Sequence, residues 1–295
     1  MTLDDYMLHV FCVLDDHLTA LHRDHVRQRG FAPLLHDSEV LTIELVGEFL
    51  GFDQDAQLFG YFRRHHTAAF PNLARVHRTP FLRQAANLWA VKQRLQHHLA
   101  GRRTVDDPLG HIDSLPVHAC QFARAPYSRR FAGVAAFGKA PVIRQAFSGF
   151  RLHLRTRRDS INQAAVLAPA NAAETEVLRE LELPSGSVGI GDRNYWSPTL
   201  TEELAGGGIR LLAPYKNKAC DPQPERSRVL RRRHWLIGTV NGQLAGRFHV
   251  ERTWTKDLWH LGSRILRKIL SHTVAAWVNV SRGHRPLDVA SLVTE

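Results

Sequence analysis

Apolar side chains recur every three or four positions over residues 3–22 and again over 37–50, the period of a helix that buries one face. The second segment opens "HDSEV", where Asp37 or Ser38 can cap the helix by accepting a bond from an orphan backbone N–H. Two further helices are expected near 55–66 and 80–100, on either side of "FPNLARVHRTP" and its bracketing prolines. Residues 1–104 are therefore predicted to be an all-helical unit, closed by the polar, turn-rich "GRRTVDDPLG" at 101–110.

Past that boundary the pattern shortens. "LGHIDSLPV", "GFRLHLRT", "NQAAVLA", "SVGIGD" and "IRLLAP" are runs of strand type, and "NAAETEVLRELE" and "SPTLTEELAG" are helical segments between some of them. Strands alternating with helices predict an α/β domain over 105–295. Residues 214–235, with Pro214, Pro222, Pro224 and the "ERSRVLRRR" run, read as a basic connection, and helical periodicity returns over 247–280. Just before that return, "LIGTVNGQL" at 236–244 places Gly238 where it interrupts an expected helix.

With 44% hydrophobic residues in 295, the chain can bury two modest cores. Three scattered cysteines (Cys12, Cys120, Cys220) give neither a disulfide framework nor a CxxC pair, which points to a reducing interior. The acidic opening "MTLDDYMLHVFCVLDD" lacks a signal-peptide pattern, and no apolar run approaches the ~20 residues that span a bilayer. A soluble, cytoplasmic protein without a membrane partner is expected.

The net charge of +11 points to a polyanion, and its distribution narrows the place. Residues 1–50 carry 3 Lys+Arg against 9 Asp+Glu, whereas residues 124–158 carry nine basic side chains and no acidic one. These nine are Arg124, Arg129, Arg130, Lys139, Arg144, Arg151, Arg155, Arg157 and Arg158. Their arginines, with Arg231, Arg232 and Arg233, are the candidates for holding the phosphates of double-stranded DNA.

Two aspartates stand out by context. Asp113 lies inside the apolar "HIDSLPV", where an ionised carboxylate is costly unless paired, metal-bound or at an exposed strand end. Asp192 follows directly on the apolar "VGIG", at a strand end of the kind where sites form in α/β sheets. Together in a basic domain they suggest phosphoryl chemistry on Mg²⁺ or Mn²⁺, which take oxygen ligands and usually want a third carboxylate. By spacing alone only Glu251, in "FHVERTW", offers one in the final third. The 18 histidines include "HRDH" at 22–25 and two doublets, but no paired zinc ligand set. Trp254, Trp259 and Trp277 are expected in the core.

At this point the chain resembles a known family, the DDE-type transposases of bacterial insertion sequences, closest to the insertion-sequence 982 group. The resemblance runs through "LLHDSEVLTIELVGEFLGFD", "FPNLARVHRTPFLRQAANLW", "HIDSLPVHACQFARA", "FSGFRLHL", "VLAPANAAETEVL", "GDRNYWSPTLTEELAGGGIRLLAPYKNK" and "RTWTKDLWHLGSRILRKILSHTVA". It implies a ribonuclease H-like core after the helical domain, Mg²⁺ or Mn²⁺ as cofactor, and cutting and joining of DNA at the ends of a mobile element. The partners it implies are the terminal inverted repeats, target DNA and a further copy of the chain, as a homodimer or higher assembly acting at the nucleoid. The family's first two catalytic aspartates map onto Asp113 and Asp192.

The family's third residue, a glutamate in a pattern similar to Ile-Glu-Thr-Val, falls on Gly238 of "IGTVNGQL". Three explanations follow: a decayed or repurposed transposase, a deliberate knockout, or another residue supplying the ligand. Glu251 is the substitute considered, although one continuous helix from 238 to 251 would place it ~20 Å away unless Gly242 and Gly246 break it. The rivals to transposition are a DNA-binding protein that kept the fold without catalysis and a metal-dependent nuclease without strand transfer.

Overall fold

The computed structural model describes residues 1–21, 32–102, 108–140, 145–252 and 254–294. Arg144 and the "HRDH" segment lie outside the described residues, as does the expected boundary at 104. The chain divides into two compact units, one made of Met1–Arg102 with Leu244–Glu295 and the other of Arg103–Gln243. Among the described residues, no helix is long and apolar enough to cross a membrane.

The first unit begins with helices α1 (Leu3–Leu21), α2 (Asp37–Phe49), α3 (Asp55–His65), α4 (Arg78–Asn87) and α5 (Trp89–Arg102). At the start of α2 the cap position is His36, whose N–H donates to Glu39 Oε2 at 2.7 Å; Asp37 instead accepts from Gln84 Nε2 at 2.9 Å. The single helix expected over 80–100 is two helices that meet at Leu88. The turn lets Phe81 and Ala85 on one helix, and Val91, Leu95 and Leu99 on the other, each keep a buried stripe.

The second unit is an α/β layer of β1 (Leu109–Gln121), β2 (Ala136–Ala140), β3 (Gln145–Arg157), β4 (Asn162–Pro169), α6 (Glu174–Glu180), β5 (Val188–Ile190), α7 (Pro198–Gly206), β6 (Arg210–Leu212), α8 (Pro224–Arg233) and α9 (Trp235–Gly246), the last crossing its boundary. The sheet runs β2-β3-β1-β5-β6, with β4 pairing β3 as well. β1 is antiparallel to β3, and β3 to β2 and β4, while β5 runs parallel to both its neighbours, β1 and β6. Ile112, Leu178, Leu181, Tyr195, Leu200 and Leu211 form the core between sheet and helices. Gly189 lets β5 come close to β1, because a Cβ there would stand 2.7 Å from Ile112 Cδ1.

The chain returns to the first unit as α10 (Leu258–Ser281), shorter than the helix expected over 247–280. Its charged residues account for the grouping. Buried Glu44 and Glu48 of α2 meet Lys92 of α5 (2.7 Å to Glu44) and, from α10, Arg267 (3.0 Å to Glu44, and paired with Glu48) and Lys268 (2.5 Å to Glu48). Burial pushes the Asp55 carboxyl up, but Arg267 and Arg264 outweigh it and hold the group at about 2. Residues 105–295 are thus not one unit: the segment from Leu244 packs with the N-terminal helices, and two of the three cations named here, Arg267 and Lys268, come from α10.

Candidate active site

The parallel register of β1 and β5 sets the site. Gly110 pairs with Gly189 and His111 with Ile190, so Asp113 and Asp192 each lie two positions beyond the same rung. Adjacent strands are about 4.8 Å apart, so the backbone positions of the two aspartates are neighbours, Asp113 within β1 and Asp192 just past the end of β5. Gly191 leaves room for the turn that follows, since a Cβ there would reach 2.8 Å from the ring of Tyr195. Asp192 caps that turn: its Oδ1 accepts from the Asn194 N–H at 2.8 Å and its Oδ2 from Asn194 Nδ2 at 3.2 Å.

Asp113 is held from two directions. Oδ1 accepts from the Ser114 N–H at 2.8 Å, and Oδ2 accepts from Asn241 Nδ2 of α9 at 3.0 Å. Burial pushes its carboxyl up and the charge of Asp192 adds to this, against the opposing effect of His234. His234, just before α9, places Nε2 3.2 Å from the Ile112 carbonyl oxygen. His234 and Asn241, seven positions apart, therefore both touch β1, and Gly238 stands between them on the same helical face. The glycine does not break α9, and a Cβ at 238 would meet nothing within 4 Å.

A further carboxylate, not singled out in the sequence, is bonded to the residue that follows Asp113. Glu174 is the first residue of α6, and its Oε1 accepts a hydrogen bond from Ser114 Oγ at 3.0 Å. Arg151 Nη1 donates to the same hydroxyl at 3.2 Å and lies 3.6 Å from Glu174 Oε1, while its Nη2 donates to the Lys139 carbonyl at 2.6 Å. Burial pushes the Glu174 carboxyl up, and Asp192 and Asp113 push it further. Tyr195, fully buried, is raised by burial and then by the charges of Glu174, Asp113 and Asp192.

An all-oxygen set of this kind suits a hard divalent cation, whose charge would offset the mutual repulsion of the carboxylates. Among the described residues, however, no three His, Cys, Asp or Glu side chains are gathered closely enough to hold a metal ion as they stand. The fit therefore lies in the donor chemistry and in the Asp113–Asp192 pair, not in a closed cage.

Other candidates fall differently. Glu251 belongs to the helical unit, in the turn after α9, which ends at Gly246. Arg155 and Arg157 are buried, at 3% and 4% exposure, and Arg157 pairs with Asp159 at 2.5 Å. They alternate with Leu152 and Leu154 in a central strand flanked on both edges, so they are unavailable to DNA phosphates. Arg151 is mostly buried in its pairing with Glu174. Arg124, Arg129, Arg130 and Arg158 are exposed, as are Arg231, Arg232 and Arg233, which form the last turn of α8 where only a connection was expected. Trp254 and Trp259 are 65% and 43% exposed rather than core, while Trp277 is partly buried against His17.

The family described as Transposase DDE domain matches residues 104–258, which includes Asp113, Glu174, Asp192 and Gly238. No curated protein and no solved structure matches the chain.

Proposed function

Because the chain belongs to the Transposase DDE domain family, whose match spans just over half of it, we propose that it is the transposase of a bacterial insertion sequence of the 982 group. On this reading it cuts the ends of its element and joins them to target DNA. The observation that carries the proposal is the shared rung beneath Asp113 and Asp192. The antiparallel β4-β3-β1 face continued by parallel β5 and β6 is consistent with a ribonuclease H-like core.

Asp113 and Asp192 would hold Mg²⁺ or Mn²⁺, which when bound supplies positive charge to the attacked phosphate and lowers the pKa of water. In the first step a water oxygen bonds to phosphorus and the bond from phosphorus to the 3′ oxygen breaks, leaving a 3′-OH and a 5′-phosphate. In the second step that 3′ oxygen bonds to a target phosphorus, and the target's own 3′ oxygen leaves. Asn241 and the Ser114 N–H fix the orientation of Asp113, and Asn194 fixes that of Asp192. The exposed arginines at 124–130, 158 and 231–233 are positioned to hold backbone phosphates in either step.

The second reading is a protein that binds element ends without cutting them, and Gly238 favours it. A metal-dependent cleavage and joining assay separates the two, using duplexes that carry the repeats flanking the gene. Transposition requires cut 3′ ends and joined products that vanish in Asp113→Asn and Asp192→Asn. Binding with no cut in Mg²⁺ or Mn²⁺ would support the silent protein, and cuts without joining would support a nuclease.

A further inference from the structure

We propose that the cleft beside Asp192 seats the nucleotide next to the attacked phosphate, with Lys216 positioning that nucleotide's phosphate and Trp196 and Pro198 forming the wall on which its sugar and base pack. The inference rests on the transposase reading and adds a substrate contact to its site. The cleft lies in the α/β unit, has a volume of about 560 Å³, and has Arg151, Glu174, Asn194, Trp196, Pro198 and Lys216 in its wall. Such a volume falls within the roughly 300–1,000 Å³ of small-ligand sites.

Strand order brings these residues together. β6 runs parallel beside β5 with Leu212 opposite Ile190, so Asp192 and Lys216 follow neighbouring strands at the same end of the sheet. In open α/β sheets ligands gather at that end. Asn194, which donates to both oxygens of Asp192, also lines the cleft, so a nucleotide seated here lies next to that aspartate. Trp196 is held in place: its ring packs on Tyr215, with centroids 4.5 Å apart, and against the core that includes Tyr195 and Leu200.

Charge selects the occupant. Of the charged side chains in the wall, Arg151 stands 3.6 Å from Glu174 and donates to Ser114 and to the Lys139 carbonyl, so its charge is answered within the protein. Lys216 is exposed and, among the described residues, pairs with no acid. A cation without a counter-charge beside an aromatic wall suits a nucleotide, which brings a negative phosphate and the flat apolar face of a base. Lys218, two positions on, is equally exposed but does not line the cleft, and it therefore separates local positioning from general charge.

The test uses the full chain and duplexes that carry the repeats flanking the gene, with 5-iododeoxyuridine placed on either side of the element end. On irradiation the iodouracil should cross-link to the peptide that contains Trp196, and Lys216→Gln should lose that link. In cleavage, Lys216→Gln should lower kcat at least about tenfold, since a small misplacement of reacting groups costs up to about 10²-fold in rate. KM should change little, because many other phosphate contacts hold the duplex. Lys216→Arg should keep the link and most of the rate, and Lys218→Gln should match the parent in both. Cross-links confined to other peptides overturn the proposal, as do equal losses in Lys216→Gln and Lys218→Gln, which would reduce Lys216 to general charge. The cross-link needs no cutting, so the two readings fail separately. Normal cuts without the link remove the cleft and leave the transposase reading, whereas a link that depends on Lys216, without cuts, keeps the nucleotide seat in a protein that binds ends silently.

Discussion

On the proposed reading, the glycine at position 238 stands where the resembled transposases carry their third acid, and the position can be tested by restoring one. It sits in α9 one turn before Asn241, which touches Asp113, and nothing within 4 Å opposes a side chain there. Gly238→Glu should raise metal-dependent cleavage of end DNA. It should not lower the thermal midpoint, since glutamate is favoured over glycine in a helix by under about 1 kcal/mol. An unchanged rate would show that position 238 does not face the chemistry. Asp113 and Asp192 were conspicuous in the sequence because each is an acid inside or just after an apolar run. Glu174 was not, because an acid in the first turn of "NAAETEVLRELE" reads as ordinary complementation of the helix dipole. Only its bond to Ser114, 60 positions earlier, gives it another meaning.

Elements show the same division between local and non-local information. α1, α2, α3 and the strands from β3 to β6 were legible as periodic runs, and their observed limits lie close to those expected. β2 was missed because "AFGKA" at 136–140 has no alternating apolar pattern, and its strand character comes from pairing with β3. α8 was read as a connection because its prolines and arginines suggest one, yet Pro224 sits at a first helical position, where its missing N–H costs nothing. The arginine run shows most clearly what charge counting lacks: it placed Arg155 and Arg157 on the surface, whereas both are buried in a strand paired on both sides. The electrostatic expectation therefore moves to α8. Replacing Arg231, Arg232 and Arg233 with glutamine should weaken binding to every duplex alike. It should also flatten the slope of log affinity against log salt by roughly 0.9 for each phosphate that is no longer neutralised. Glutamine is the better probe, since glutamate would also oppose the helix dipole at this C-terminal turn. An unchanged slope would remove α8 from the interface.

At the scale of the whole molecule, the chain order and the physical units disagree. A sequence reader places the boundary near residue 104 and expects the helices before it to stand alone. The buried acids of α2 argue otherwise, because Glu44 is shared by Lys92 and Arg267, and Glu48 depends on Arg267 and Lys268, both more than 200 residues away in sequence. Stripping the partners from a buried charge costs about 3–5 kcal/mol, which is comparable with the roughly 5–15 kcal/mol that holds a domain folded. A fragment of residues 1–102 also lacks the apolar face of α10, including Leu261, Ile265, Ile269 and Val274, all buried in the intact chain. We therefore expect that fragment to show helical circular dichroism without a cooperative thermal transition, and to gain one when a peptide of residues 244–295 is added. Lys268→Met in the full chain should lower the midpoint of the same transition, because it leaves Glu48 with Arg267 alone. A fragment that melts sharply, near the temperature of the intact protein and without the peptide, would show that the N-terminal helices are a domain in their own right. The ion cluster would then be incidental to their folding.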